Sequence, residues 1–526
     1  MRRWLPLAVL AAAQFVMVLD QAVMNVSISQ LVVDLDTDVT AIQAVITLYS
    51  LVMAMFMIAG GKVGDMIGRR RAFTIGLVVY ATGSSITAVA PSVLVLAFGW
   101  SVLEGLGAAL VMPALAALIA GNYQGRERAA AYSVIGAVAG AGIAVGPIVG
   151  GWATTNLSWR VVFVGEVVIV LGVLACVGLL QDAAGDDARP RFDLVGVWLS
   201  ALGLGLVVYG VLQAGTWGWL VPKSSPLEPF GFALTPFVLL AGAAVLRLFV
   251  AWQRHREAAG TDPLVHLDLL KIPTLRAGLH SLLAQNLILM GVFFTVPLYL
   301  QLVLGLDALQ TGIRMLPVSI AMFVAAIAGA RLRVRLGVRG VVRTGFASSL
   351  LGIGWLLTTI EPTLAEVGFA IAMTLLGIGM GLIASQLGDV VQSSVDASGR
   401  SEAGGLQYTS MQLGSAVGVA LIGTIVLSGL VSNLLTLVEE DERIPAVVAE
   451  QTAVAVSGEV SFAPSVQVRE RAEAGGLDAA VVDALVADYE QAQLFALKSG
   501  LFACMLLALL ALPATRQLPS ERVRAG

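Results

Sequence analysis

Long apolar runs separated by short polar connections dominate this chain of 526 residues. Fourteen of the runs reach about 20 residues, the length that an α-helix needs to cross a hydrocarbon core of about 30 Å. The pattern therefore predicts an all-α polytopic membrane protein with 14 transmembrane helices. The predicted spans are residues 6–30, 42–64, 72–91, 93–120, 129–153, 159–181, 194–214, 231–253, 274–302, 309–331, 339–360, 365–389, 402–432 and 492–514.

Lysine and arginine lie mostly on one side of this predicted topology. If the N-terminus is inside, only seven of the 31 basic residues fall on the outer side of the membrane. Cytoplasmic loops carry the excess of lysine and arginine in membrane proteins. The chain is therefore predicted to cross the membrane an even number of times, with both termini in the cytoplasm. Its abundance of alanine, glycine, valine and arginine is typical of a GC-rich bacterial genome, so we expect a bacterial cytoplasmic membrane.

Composition excludes most classes of soluble protein. Hydrophobic residues make up 58% of the chain and charged residues 13%, whereas soluble domains have about 25% charged residues. The lipid bilayer is therefore the expected solvent. Cys176 and Cys504 lie inside apolar runs, and the three histidines lack the spacing of metal ligands. Since no Walker-type phosphate loop and no nucleophile–base pair is visible, we predict no enzyme, metal, cofactor or nucleic-acid partner.

One long polar segment, residues 433–491, separates the last two predicted spans. It contains an acidic run at residues 439–442 and lies outside the cytoplasm in the predicted topology. The apolar spacing over residues 477–494 indicates an amphipathic helix that extends the last span outward. A solvated helical hairpin is the first interpretation of this segment, and a docking site for an extracytoplasmic partner is the alternative.

Two loops carry copies of one motif. The first, residues 61–71, reads Gly-Lys-Val-Gly-Asp-Met-Ile-Gly-Arg-Arg-Arg, and a degenerate copy at residues 330–339 follows the tenth span. Gly68 and Gly337 occupy matching places 269 positions apart. Such a repeat predicts two homologous halves with a substrate site between them. We assign residues 1–182 to an N-terminal six-helix half, 183–273 to two additional spans with cytoplasmic linkers, and 274–526 to a C-terminal six-helix half that contains the loop at about 433–491.

The first copy of the motif has the composition of a conformational clasp. Gly61, Gly64 and Gly68 are predicted to form the bend between two spans. Asp65 is placed to accept hydrogen bonds from a neighbouring helix N-terminus or to pair with an arginine. The pattern resembles motif A of the major facilitator superfamily. The candidate gating residues are Gly61, Lys62, Asp65, Gly68, Arg69 and Arg70.

Glycines crowd the fifth span and permit close helix contact there. The candidate residues of this helix are Gly142, Gly146, Pro147, Gly150 and Gly151. The stretch resembles motif C, the antiporter signature of exporters in the superfamily, and ordinary packing of small residues is the alternative. The first span has Asp20 and Asn25 in a Leu-Asp-x-x-x-x-Asn-Val pattern that is similar to the fourteen-span drug/proton antiporter branch. This resemblance implies the major facilitator fold, with two additional spans at about 194–253 between the six-helix halves.

Ionisable side chains inside membrane spans are costly and are therefore functional candidates. Asp20 and Glu104 fall near the middle of the first and fourth spans, which line the central cavity in the family that the chain resembles. Glu104 and Ser101 stand where motif B of that family carries glutamine and arginine, so the role of that arginine cannot be transferred. A carboxyl group here can bind a proton on one side and release it on the other, or exchange the proton for a cationic substrate. Glu166, nearer the outer face, is a third candidate, with pairing to Arg160 as the alternative.

Further polar side chains are weaker candidates for the cavity. They are Asn25 on the first span, His280, Gln285 and Asn286 on the ninth span, and Asp389 near the inner end of the twelfth span. Polar helix–helix contact is the alternative for the three side chains of the ninth span, and a charge at the membrane boundary is the alternative for Asp389.

These features predict a proton-coupled secondary exporter that moves lipophilic or cationic compounds by alternating access. Its partners are then a small-molecule substrate, protons and the lipid bilayer. Dedicated export of one endogenous metabolite or lipid is the second interpretation. A non-transporting membrane sensor that uses the acidic external segment is the third.

Overall fold

The structure is a computed structural model that describes residues 4–123, 125–182, 192–396, 399–459 and 462–520. These residues form helices and contain no strand, which confirms the all-α prediction. The helices of the N-terminal half are α1 (Leu5–Val26), α2 (Ile28–Asp34), α3 (Val39–Ile67), α4 (Arg69–Ala88), α5 (Val93–Leu96), α6 (Gly105–Asn122), α7 (Gly125–Asn156) and α8 (Arg160–Cys176). A π-helical stretch, Ala97–Glu104, joins α5 to α6 without a break.

Nine further α-helices follow in the described part of the chain. The two additional spans are α9 (Leu194–Trp217) and α10 (Thr235–Ala258). The C-terminal half contains α11 (Pro273–Leu298), α12 (Ala308–Thr359), α13 (Glu366–Ser393), α14 (Arg400–Glu440), α15 (Ala446–Glu459), α16 (Ser465–Ala474) and α17 (Ala479–Ala511). A second π-helical stretch, Tyr299–Val303, extends α11.

Thirteen helical segments of the described chain are long and apolar enough to cross a membrane. The predicted span at residues 72–91 falls on α4, which has 20 residues but is not among the thirteen. Its arginines at one end and its serines and threonines lower its hydropathy. α4 packs against α6 and α8, and Ile75 and Val78 are exposed on another of its faces. The number of 14 spans stays a prediction.

Matching glycines turn the chain at the two copies of the loop motif. Gly68 joins α3 to α4 with φ 97°, and Gly337 joins the two halves of α12 with φ 68°. Side chains disfavour this left-handed region, and glycine does not. The expectation that Gly61 and Gly64 also form the bend is wrong, because α3 continues through both of them to Ile67. One glycine per copy is enough to reverse the chain.

The helix pair α9–α10 lies beside the two halves at one edge. α9 contacts α3 of the N-terminal half and α14 of the C-terminal half, and α10 packs on α9. Asp193 holds the pair together, since it accepts hydrogen bonds from the backbone of Gly196 (2.9 Å), from Trp252 (2.9 Å) and from Gln253 (2.8 Å). Burial opposes the ionised form of Asp193, but these three hydrogen bonds and the charge of Arg256 outweigh it and lower the pKa.

The two halves meet along the helix pairs α3–α14 and α7–α12. A side chain in the π-helical stretch that extends α11 also joins them: Gln301 donates to the carbonyl oxygen of Val26 (2.9 Å) and accepts hydrogen bonds from Ser29. Nearby, the backbone of Leu309 donates to the hydroxyl of Thr155 (3.1 Å). At this end of the molecule the halves are therefore in polar contact.

The polar segment at 433–491 folds back on the last span. The predicted amphipathic stretch at 477–494 falls in the first half of α17, which runs without interruption to Ala511, so the prediction of an extended last helix is confirmed. Tyr489 of α17 donates to the carbonyl oxygen of Ala463 and accepts from its amide, and Gln493 donates to the same carbonyl. The acidic run is partly neutralised, because Arg443 pairs with Asp441 at 2.5 Å and holds its pKa below the usual range.

The closest helix crossing of the N-terminal half gives a direct test of the packing. A Cβ atom at Gly60 of α3 would lie 2.1 Å from the carbonyl oxygen of Ala109 in α6. We expect Gly60→Ala to push the helices apart at a cost of about 1–3 kcal/mol and to lower the Tm of the detergent-solubilised protein. Gly172→Ala is the matched control, since a Cβ atom there meets nothing within 4 Å. Equal Tm values for the two variants would contradict this packing.

Candidate functional site

Asp20 is completely buried on α1 and is held by an aromatic pair. The indole Nε1 of Trp100 donates to Asp20 Oδ1 at 2.8 Å. The Trp100 ring stacks on Tyr49 of α3, with the ring centroids 4.5 Å apart. Trp100 lies in the π-helical stretch Ala97–Glu104, a type of helix distortion that is frequent at functional sites. The stacking fixes the indole so that its N–H group points at the carboxylate.

Glu104 ends the same π-helical stretch and is also completely buried. Thr87 of α4 donates to Glu104 Oε1 at 3.2 Å. A Cβ atom at Gly83 of α4 would lie 2.6 Å from Glu104 Cγ, so only glycine leaves room for this side chain. Two residues of α4 that lower its hydropathy therefore accommodate the Glu104 carboxyl group: Gly83 leaves space for the side chain, and Thr87 donates a hydrogen bond to it.

Glu166 reaches the same region from α8. Its Oε2 atom accepts hydrogen bonds from Tyr80 and Ser84 of α4, each at 3.3 Å. The alternative that Glu166 pairs with Arg160 is wrong, because Arg160 pairs with Asp34 at 3.5 Å and stacks over the Trp159 ring. Glu166 is therefore directed into the bundle, while Arg160, at the start of α8, is bound to Asp34 and the Trp159 ring.

The three carboxyl groups of Asp20, Glu104 and Glu166, which we call the carboxyl cluster, lie together. One oxygen of each lies within 4.8 Å of the others. The second oxygen of each group, Oδ2 of Asp20, Oε2 of Glu104 and Oε1 of Glu166, is buried without a hydrogen-bond partner. No described lysine, arginine or histidine forms an ion pair with any of them.

This arrangement restricts the charge that the cluster can hold. Two carboxylates about 5 Å apart repel by roughly 3–4 kcal/mol at an effective dielectric constant of about 20. Each ionised group also loses hydration on burial. The three groups therefore cannot all be ionised at once, and protons or a cation must compensate part of the charge. Three hard oxygen donors at this spacing could contact one hard cation such as Ca²⁺.

Other predicted cavity residues lie away from the carboxyl cluster. Asn25 and Asn286 donate to carbonyl oxygens of their own helices, Gln21 and Leu282. Gln285 donates to the carbonyl oxygen of Met380 in α13, which is a contact between helices.

The last two predicted cavity residues are exposed. His280 is exposed, although most of α11 beyond it is buried. Asp389 is half exposed and pairs with Arg333 at 2.5 Å, next to the second copy of the loop motif. The carboxyl cluster is therefore built entirely from the N-terminal half.

The loop motif forms an ion pair across the bend between α3 and α4. Asp65 pairs with Arg69 at 3.2 Å, which is one of the two predicted arrangements. Asp182, at the end of the N-terminal half, accepts a hydrogen bond from the backbone amide of Arg70 at 3.1 Å. Asp182 therefore caps the N-terminus of α4. The sequence had suggested Asp65 for a role of this kind. Lys62 lies on the last turns of α3 and is half buried.

The glycines of α7 contact two different helices. Cβ atoms at Gly142, Gly146 and Gly150 would approach Val18, Ala22 and Val23 of α1 to within 3.0 Å or less. These three residues of α1 flank Asp20. On the other face of α7, a Cβ atom at Gly151 would lie 2.4 Å from the carbonyl oxygen of Ala308 in α12. From the side of α12, a Cβ atom at Gly312 would lie 2.1 Å from the carbonyl oxygen of Pro147 in α7. α7 therefore connects the helix that carries Asp20 to the C-terminal half.

Sequence reasoning missed the side chains that hold the cluster. In the sequence, Trp100 and Tyr49 look like ordinary residues of apolar spans. The serines and threonines of α4 only lower the hydropathy of that span and do not indicate a binding partner. One signal could have indicated them. α4 places Tyr80, Ser84 and Thr87 at intervals of four and three residues, which puts them on one helix face.

Comparisons with known proteins agree with this architecture. A sequence-family model described as the Major Facilitator Superfamily matches residues 10–419. A probable actinorhodin transporter of Streptomyces coelicolor is 32% identical over 436 residues, which cover 81% of this chain and 72% of the relative. A puromycin resistance protein of Streptomyces alboniger is 32% identical over 431 residues, or 81% and 82% of the two chains. A multidrug efflux pump of Mycolicibacterium smegmatis is 28% identical over 426 residues, or 81% of each chain.

Solved structures share the fold at low sequence identity. A bacterial homologue of the human lysosomal transporter Spinster superposes with a TM-score of 0.61 at 13% identity and covers 98% of both chains. A peptide transporter in complex with sulfate gives a TM-score of 0.58 at 16% identity and covers 98% of this chain and 95% of its own. These likenesses support the predicted fold class.

Charge repulsion inside the carboxyl cluster predicts a stability effect that is independent of activity. Glu104→Gln keeps the size of the side chain and removes one ionisable group. The Tm of the solubilised protein should fall from acidic to alkaline pH, because ionisation of the buried cluster destabilises only the folded state. At alkaline pH, Glu104→Gln should raise the Tm by at least about 2 °C, which is on the order of 1 kcal/mol.

Asp389→Asn is the matched control, since Asp389 is exposed and has an arginine partner. It should lower the Tm or leave it unchanged. A Tm of Glu104→Gln below that of the unmodified protein at every pH would contradict the repulsion.

Proposed function

The chain belongs to the Major Facilitator Superfamily, and from this premise we propose that it exports lipophilic compounds, including cationic ones, in exchange for protons. It is a multi-pass membrane transporter and not an enzyme. The observation that carries the proposal is the carboxyl cluster, which is buried in the N-terminal half and has no ion-pair partner among the described residues.

The cluster has the properties that a proton-binding site needs. Its groups are close enough to share protons, and each has an oxygen without a hydrogen-bond partner. No described basic side chain neutralises the negative charge of the cluster, and a bound proton would do so. A cationic substrate that approaches the cluster would do the same, so protons and substrate can displace each other.

Binding at the cluster has a physical route to the rest of the protein. The three glycines of α7 pack on the turns of α1 that flank Asp20, and the opposite face of α7 packs on α12. A change of charge at Asp20 alters the position of α1, and α7 transmits this shift to the contact between the halves. Alternating access then exposes the central space to the two sides of the membrane in turn.

Direction and substrate class rest on the relatives. The relatives reported above are named for the transport of actinorhodin, for puromycin resistance and for multidrug efflux. Efflux is outward movement, and a membrane transporter that gives resistance by transport must move the compound out of the cell. Proton exchange is the coupling that a titratable cluster can supply without an ATP-binding domain.

Export should depend on the carboxyl cluster. Inverted membrane vesicles with an imposed proton gradient should accumulate a cationic dye such as ethidium and a neutral lipophilic dye. Asp20→Asn and Glu104→Gln should each lower gradient-driven accumulation at least about tenfold, within the range of about 5–150-fold that couplings between sites cover. Asp389→Asn should keep substantial activity, because this residue is half exposed and lies away from the cluster. Unchanged accumulation in both cluster variants would rule out the proposed coupling.

Dedicated export of one endogenous metabolite is a second candidate function. It is supported by the relative that is named for a single compound, actinorhodin. If the protein exports one metabolite, a deletion strain should lack one compound in its culture medium, and its drug susceptibility should stay unchanged. Broad export should instead raise susceptibility to several unrelated compounds. Comparative metabolomics of the medium, together with inhibition assays, separates the two outcomes, and re-expression of the unmodified chain is the control.

A further inference from the structure

One face of α12 is apolar and exposed over most of the helix before Gly337. The exposed side chains on this face, which we call the apolar stripe, are Ile313, Ile320, Val324 and Ile327. Because successive residues of an α-helix are rotated by about 100°, these four side chains fall within a sector of about 60°. In a membrane-spanning helix, such a face lies against the hydrocarbon of the bilayer.

Two exposed arginines continue the apolar stripe. Arg331 follows Ile327 by four residues, and Arg335 follows Arg331 by four, so both lie on the same helix face as the stripe. Arg331 is 23 residues from Ala308, the first residue of α12, which corresponds to about 35 Å of helix. Since the hydrocarbon core is about 30 Å thick, the two guanidinium groups lie at the level of the phospholipid headgroups.

The protein leaves the charge of these two arginines uncompensated. α12 contains six arginines and no acidic residue. Arg333, Arg339 and Arg343 bind other parts of the protein. Arg331 and Arg335 form no ion pair and no hydrogen bond with a described residue. Because like charges four residues apart on a helix repel each other, an anion placed between them would stabilise this turn.

The spacing of the run Arg-Leu-Arg-Val-Arg at residues 331–335 divides its arginines between two helix faces. Residues two positions apart are rotated by about 200°, so Arg333 lies on the face opposite to Arg331 and Arg335. Arg333 pairs there with Asp389 of α13 at 2.5 Å. The middle arginine of the second loop motif therefore holds two helices together, while the flanking arginines face away from the protein.

The N-terminal half has no equivalent of this pair. In the first copy of the loop motif, Lys62 and Met66 occupy the positions that match Arg331 and Arg335, so one of the two charges is missing. The matching helix α3 also packs against α9. The combination of an apolar stripe and two unpaired arginines therefore belongs to the C-terminal half.

We propose that Arg331 and Arg335 bind the phosphate of one anionic phospholipid, whose acyl chains lie along the apolar stripe. Guanidinium groups match the geometry of phosphate oxygens and bind them through two parallel hydrogen bonds. This end of α12 is cytoplasmic in the predicted topology, and basic residues next to a span attract anionic lipids of that leaflet. A free phosphate would contact the arginines alone, whereas a phospholipid also covers the stripe. The site does not depend on the proposed export function.

Lipid titration tests the site without any transport assay. The full chain in detergent is titrated with dioleoyl phosphatidylglycerol, and the bound lipid is measured by native mass spectrometry. Dioleoyl phosphatidylcholine has the same acyl chains without the net charge, and inorganic phosphate has the charge without the chains. The test variant carries Arg331→Gln and Arg335→Gln. The matched control carries Arg71→Gln and Arg254→Gln, which remove two exposed arginines from two other helices.

We expect the unmodified chain to bind phosphatidylglycerol more tightly than phosphatidylcholine. A basic residue near the membrane surface strengthens the attraction of anionic lipid by a factor of about five, so the test variant should weaken phosphatidylglycerol binding at least about tenfold and the control less than about threefold. If the test variant does not fold, Arg331→Gln and Arg335→Gln are measured singly, and each should weaken binding about fivefold.

Three results would overturn the proposal. Equal losses in the two double variants would mean that the total positive charge of this face attracts the lipid, and not one site. Unchanged binding without Arg331 and Arg335 would remove both arginines from the site. Inorganic phosphate that binds as tightly as phosphatidylglycerol would show that the apolar stripe contributes nothing and that the ligand is not a lipid.

Discussion

Three carboxyl groups buried together, without an ion pair to any described basic side chain, are the constraint on which the rest of the N-terminal half depends. Burial of one ionised group already costs several kcal/mol, and a second carboxylate within 5 Å adds to that cost. The described surroundings supply hydrogen bonds and form no ion pair: an indole donates to Asp20, a hydroxyl to Glu104, and two hydroxyls to Glu166. Such donors stabilise a partly charged cluster without fixing its charge. A lysine in the same place would hold the carboxylates permanently ionised and would remove their freedom to titrate.

The packing of helices around the cluster follows from the same need. The π-helical stretch before α6 carries both Trp100 and Glu104, and Gly83 leaves the space that Glu104 fills. On the far side of α1, the glycines of α7 bring two backbones close together, so that a small displacement of one helix moves the other. Close-packed interiors pass strain on and do not absorb it. A site in one half can therefore influence a contact with the other half without touching it.

Much of this could be predicted from the sequence, and the failures have a common cause. Hydropathy and the repeated loop identified the all-α plan and the paired turns at Gly68 and Gly337, because length and left-handed backbone are local properties. The buried acids were found because charge is rare in apolar spans. The partners of those acids were not found, since they depend on contacts between distant segments. Arg160 lies six positions before Glu166 in the chain and yet pairs with Asp34, 126 positions away.

The way in which α9 is attached determines which half it moves with. The hydroxyl of Thr424 in α14 donates to two carbonyl oxygens of α9, those of Val211 and Leu212, whereas the described contacts of α9 with α3 are apolar. Hydrogen bonds fix the register of two helices, while apolar surfaces can slide past one another. We therefore expect the inserted pair to move with the C-terminal half in a rocking motion, with the slip plane between α3 and α9. The expected moving units contain six and eight of the 14 predicted spans, whereas the sequence repeat predicts a division into six, two and six.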